Sequence, residues 1–267
     1  MPTRNTMLGA KGLILSLLFT CCGKNPGEPP GSKPVTDRYT VLLKAINVRQ
    51  TASPFYHFTY DDSGYVTRIS YNEDLHVYHY YYKGGRIDSV TSSSTDARYF
   101  LYRYSRQQVS EVLQYDDTGL RLKVLVRYDA KGRVSRMDWQ PTGSGPDEKH
   151  SVFTYYDNGN LQRVENTYPA TAQVTVVDFE AYDNGKAVDD FGICKGFLEH
   201  LVLLPGVRFY HNNPTRVKET NGVDVRMITL QYQYQGSLPV EKRSATQVTG
   251  GPATGDHYTG LTSYTYY

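Results

Sequence analysis

The stretch Tyr60-Asp61-Asp62-Ser63-Gly64, followed by Val66 and Ile69, recurs in variant form down most of this 267-residue chain. Tyr82-Lys83-Gly84-Gly85 precedes Ile87 and Val90. Tyr128-Asp129-Ala130-Lys131-Gly132 precedes Val134 and Met137. Tyr156-Asp157-Asn158-Gly159 precedes Leu161 and Val164, and Tyr232 to Gly236 precedes Leu238. Tyr115 to Gly119 and Tyr182 to Gly185 are turns of the same kind without so clean a tail, Tyr104 to Gln108 is one that has lost its Gly, and Tyr210 to Pro214 is another with Asn in place of Gly. An aromatic strand end, one or two Asp or Asn, and a Gly three or four residues on form a hairpin turn. The Asp side chain bonds backbone two residues ahead, and Gly takes the positive φ that closes the loop. A repeat of fixed period decides the architecture before any single residue does.

The flanking residues are Tyr, Val, Thr, Ile and Phe, which suit a pleated surface. The two apolar residues after each Gly stand three apart, so a regular strand turns them to opposite faces. Either both sheet faces are partly covered or a bulge resets the register, and a mixture of the two is expected. The fold class is therefore all-β: an extended, curved antiparallel meander of repeated hairpins, open or barrel-like. One short helical or irregular insertion is expected near 191–205, where the run from Phe191 to Leu204 is the most apolar stretch beyond the N-terminus. A helix from Lys195 to Leu204 would plug one end of the sheet. With 25 Tyr against 9 Phe and 1 Trp, the apolar surface carries polar tips suited to a thin sheet at the water boundary.

Residues 1–21 have the layout of an export signal: Arg4 and Lys11, then the short apolar run Leu13 to Phe19. The run ends at Leu18-Phe19-Thr20-Cys21-Cys22, which resembles the lipobox of bacterial lipoproteins. That resemblance implies lipid attachment at Cys22, or at Cys21. Residues 22–37, rich in Gly and Pro, read as a flexible tether. Residues 38–267 then form a single domain. Of 29 Lys and Arg, two precede residue 21, and the rest balance 27 Asp and Glu. That balance excludes the broad basic face that nucleic acid requires.

The Tyr-Asp-x-x-Gly-x-Val/Leu units look like YD repeats of the Rhs type. With the signal, the tether and the Tyr-rich ending Ser263-Tyr264-Thr265-Tyr266-Tyr267, residues 38–267 resemble a Bacteroidota lipoprotein family of unknown function described as having a porin-like fold. The resemblance implies an outer-membrane-anchored lipoprotein on the periplasmic or cell-surface side. It does not imply a pore: Arg98, Arg103, Lys123 and Arg127 break the apolar band that a lipid-facing barrel needs.

No catalytic, cofactor or metal set stands out. His76 and His79 lie three apart on a strand and face opposite ways. The turn aspartates already have a backbone role. Cys194 is the one cysteine of the domain and reads as a buried thiol. The expected function is non-enzymatic binding or scaffolding in the envelope, with a glycan or an envelope protein as partner. A glycan hydrolase using paired carboxylates and a Rhs-type shell fragment are the rival readings. The candidate ligand region is where the repeat breaks: Asp189, Asp190, Phe191, His200, Tyr210 and His211.

Overall fold

The computed structural model describes residues 41–49, 56–72, 74–93, 98–188, 204 and 207–267. The repeats become strands β1 (Leu43–Val48), β2 (Tyr56–Tyr60), β3 (Val66–Tyr71), β4 (His76–Lys83), β5 (Arg86–Ser92), β6 (Tyr99–Ser105), β7 (Gln108–Asp116) and β8 (Gly119–Tyr128). They continue as β9 (Val134–Pro141), β10 (Lys149–Tyr155), β11 (Leu161–Tyr168), β12 (Gln173–Lys186), β13 (Asn212–Asn221), β14 (Asp224–Gln235), β15 (Leu238–Gly250) and β16 (His257–Tyr266). Each pairs antiparallel with the next, and β16 pairs with β1, so the meander closes into a barrel. No helix occurs among the described residues, and Asp189, Asp190, Phe191, Cys194, His200 and most of the 191–205 insertion lie outside them. Cys21, Cys22 and the tether also lie outside.

The Asp of the repeat holds backbone. Asp61 Oδ1 accepts from the amides of Ser63 (2.9 Å) and Tyr65 (3.0 Å), and Gly64 stands at φ 84°. Asp129 Oδ1 makes the same pair of bonds to Lys131 and Arg133. In the turn that has lost its Gly, Arg106 takes the left-handed conformation instead (φ 58°).

The three-residue spacing resolves into a bulge at every such turn, not the expected mixture. The ladder slips between Thr59 and Tyr60, Tyr81 and Tyr82, Arg103 and Tyr104, Arg127 and Tyr128, and Thr154 and Tyr155. Each slip inserts one residue after the first apolar position, which brings both apolar residues to the same face. Val66 and Ile69, Val109 and Val112, Val134 and Met137, and Leu161 and Val164 are all at most 1% exposed. Three of the inserted residues spend their hydroxyl on the facing strand: Thr67 on Thr59 O, Ser110 on Arg103 O and Ser135 on Arg127 O.

Two sequence readings are corrected here. Tyr182 to Gly185 is no hairpin turn, although Asp183 Oδ1 still accepts from the Gly185 amide. That segment stays within β12, paired irregularly with β13. Tyr210 to Pro214 is not a turn either, because Asn212 opens β13. In both places pairing between β12 and β13 overrides local turn chemistry.

The core lies inside the barrel. It runs from Leu43 and Ile46 through Phe58, Phe100, Val124, Trp139, Phe153 and Phe179 to Tyr264. A round barrel of 16 strands would enclose an aqueous lumen. Here β12 also meets β15, so the wall doubles back around β13 and β14 and the inward side chains pack on one another. Phe209 packs beside Phe153 with ring centroids 5.3 Å apart and planes tilted by 34°. Together with Leu204, Ala187 and Tyr210, it brings the described parts of the 187–211 connection into this core.

Candidate functional site

Inward and outward faces differ in polarity along most of the barrel. Inward positions are mostly Val, Ile, Leu, Phe and Tyr. The outward face carries ion pairs between neighbouring strands: Arg103–Glu111 at 2.9 Å, Arg163–Asp178 at 3.1 Å and Arg216–Glu180 at 2.8 Å. Lipid-spanning barrels have the opposite arrangement, apolar outside and polar inside.

Tyr210 is fully buried against Phe179 and Tyr182. His211 is exposed, with its ring over the Gly159 turn: a Cβ on Gly159 would stand 2.9 Å from His211 Nε2. Around His211 a side-chain lattice ties strands together. Asn160 Oδ1 accepts from the amides of His211 (2.8 Å) and Asn212 (3.1 Å), and Asn213 Nδ2 donates to Tyr234 (2.7 Å). The Tyr234 hydroxyl in turn donates to Asp183. This lattice occupies the polar groups of Asn160, Asn213 and Tyr234 in joining β11–β12 to β13–β14. His76 and His79 do face opposite ways, His76 inward and stacked on Tyr71, His79 outward.

Asp138, Asp147 and His150 form a cluster the sequence reading did not single out, with ligand-type atoms within 4.8 Å of one another. Asp138 is 2% exposed although it points outward, because long side chains lie over it. Its Oδ1 accepts from Arg136 Nε (2.6 Å) and lies 2.7 Å from His150 Nδ1, while Arg127 stands 3.4 Å from Oδ2. A cation there would have to displace two guanidinium groups. Burial pulls the Asp138 carboxyl pKa up, but the bonds from Arg136 and His150 outweigh it and hold the pKa below the ordinary value. A covered carboxylate whose pKa is held below the ordinary value is unsuited to be the acid of a glycosidase pair, which needs a raised pKa. The cluster is a cross-strand tie joining β8, β9 and β10.

A groove of about 480 Å³ opens on the outer wall over β14, β15 and β16. Its floor is a row of small residues in register, Thr229–Ala245–Thr259. One bank is the next outward row, Gln231–Arg243–Leu261, with Arg49 beyond it bonded from its amide to Leu261 O (2.8 Å). The sequence signal for it is outward small residues at the same level on three strands, and only the register aligns them.

No protein-family profile matches the sequence, and no curated protein matches it. The crystal structure of a porin-like protein from Bacteroides vulgatus is similar over 85% of this chain and 99% of that one, at 14% identity and TM-score 0.55. A chain of the TcdB2-TccC3-Cdc42 structure is matched over 76% of this chain and 13% of that one, at 12% identity and a TM-score of 0.31 that carries no argument. What the chain shares with the Bacteroides protein is its fold, a closed antiparallel β-barrel.

Proposed function

We propose that this protein is a lipid-anchored envelope protein whose barrel stands in water and serves binding or scaffolding, neither conducting nor catalysing. The observation that carries this reading is the polarity of the wall. Cross-strand ion pairs such as Arg103–Glu111 face outward, and a packed apolar core fills the inside. Arg or Lys at a bilayer midplane costs roughly 2–4 kcal/mol each, so a wall with several such pairs does not settle in lipid. The core packed across most of the inside argues against a wide conducting lumen. Attachment to the membrane then falls to the N-terminus, where Cys22 (or Cys21) follows the apolar run and residues 22–37 hold the barrel clear of the headgroups. The outer-membrane location, on the periplasmic or cell-surface side, agrees with the porin-like fold.

The test is fatty-acid labelling of the full chain in a bacterial host, alongside conductance of the purified protein in planar bilayers. Label that is lost in Cys22→Ser or Cys21→Ser, with no conductance, supports the proposal. Stepwise single-channel currents, or no lipid label on the wild-type chain, would sink it.

A further inference from the structure

The groove over β14–β16 is a trough that crosses the strands at right angles. Adjacent strands lie about 4.8 Å apart and successive outward rows about 6.8 Å apart, so the row Thr229–Ala245–Thr259 is a floor three strands wide beside a bank of longer side chains from Gln231, Arg243 and Arg49. Its volume, about 480 Å³, lies within the range of roughly 300–1,000 Å³ typical of small-ligand sites.

Its chemistry is one-sided. Among the described residues, the Arg49 guanidinium makes no ion pair or hydrogen bond, and the Thr229 and Thr259 hydroxyls and the Gln231 amide have no protein partner. Arg243 is held through Nε by Glu241 at 2.7 Å, and neither of its Nη groups has a partner among the described residues. Among the described residues no aromatic ring lines the groove, so a neutral sugar has nothing to stack on. Two guanidinium groups beside hydroxyls and an amide match a ligand with a carboxylate and several hydroxyls, because a guanidinium meets a carboxylate through two parallel bonds.

We propose that this groove binds an anionic saccharide, a uronic acid or a short chain of them. Its carboxylate lies between Arg49 and Arg243, and its hydroxyls meet Thr229, Gln231 and Thr259. The proposal rests on the binding reading above but fails separately from it.

The experiment is isothermal titration of the full chain with an oligogalacturonate trimer, a neutral trisaccharide and inorganic sulfate at matched ionic strength. The expected result is binding of the oligogalacturonate alone, about tenfold weaker in Arg49→Ala and in Arg243→Ala and weaker as salt rises. Arg163→Ala, on the outer wall away from the groove, should bind as the wild type does. Arg49 is exposed and the Arg243 side chain is 62% exposed, so loss of affinity in these variants is not loss of fold, and unfolding midpoints equal to wild type check this. No oligogalacturonate binding overturns the proposal, and so does equal binding of the neutral sugar or of sulfate. Binding that survives both arginine substitutions overturns the groove as its site and leaves the broader binding function standing.

Discussion

At the scale of the residue, the tyrosines are bolts between hairpins. The ladder on the far side of each bulged strand begins beyond its first apolar residue, and that residue's carbonyl is reached from the next turn. The tyrosine of the next turn donates to it. Tyr60 bonds Leu43 O, Tyr82 bonds Val66 O, Tyr104 bonds Ile87 O, Tyr128 bonds Val109 O and Tyr155 bonds Val134 O, all at 2.8–2.9 Å. Tyr182 to Leu161 and Tyr266 to Pro239 continue the series. Phe has the same ring without the hydroxyl, so Tyr82→Phe, Tyr104→Phe and Tyr128→Phe should each lower stability by about 1 kcal/mol. Urea unfolding midpoints at unchanged slope measure this. Inside the barrel Glu219 faces Val177 and Arg226, and burial raises its carboxyl pKa above the ordinary value of 4.5, with Arg226 pulling it partly back. The folded protein therefore keeps that proton to a higher pH than the unfolded chain. Its contribution to stability should fall as pH rises from 4.5 through the raised value, and Glu219→Gln should flatten that part of the profile.

At the scale of the element, the unit is a hairpin with a bulge at a fixed distance from its turn. The bulge turns two apolar residues three apart into two core residues, and each such side chain, fully buried, contributes roughly 1.5–3 kcal/mol. Outward, the strands are joined by charge. Asp138 on β9 receives Arg127 from β8, Arg136 from its own strand and His150 from β10. Asp138→Ala should cost about 2 kcal/mol, since it removes the charge-assisted bonds from Arg136 and His150. The sign of its pH dependence is opposite to that of Glu219. The Asp138 pKa is depressed, so its contribution is present above the unfolded pKa and is lost as pH falls through the folded value. Acid titration of the wild type against Asp138→Asn separates the two; equal profiles would contradict the assignment.

At the scale of the whole molecule, closure removes every sheet edge. The last strand makes it: β16 pairs with both β15 and β1, and the Tyr267 hydroxyl crosses to Phe58 O at 3.0 Å. Removing residues 257–267 should expose the edges of β1 and β15 together. The expected result is loss of a single cooperative thermal transition and association in size-exclusion chromatography. A truncated chain that stays monomeric and melts in one step would show that closure is not what holds the fold.

Most of the turns, the strand class and the roles of the turn residues were legible along the chain. Asp61, Asp129 and Gly64 act within five residues of themselves, and local chemistry is legible locally. The sequence also placed charge on both faces of the strands, at Arg98, Arg103, Lys123 and Arg127, without saying which face would be outside. Which face each strand turns inward was not legible, because one inserted residue such as Thr67 or Ser135 reverses the parity of all that follows. Nor was closure, since β1 and β16 meet across more than 200 positions and no local pattern encodes that pairing. The groove was hidden for the same reason. Thr229, Ala245 and Thr259 are unremarkable along the chain and become a floor only when hairpin lengths and register bring three strands level.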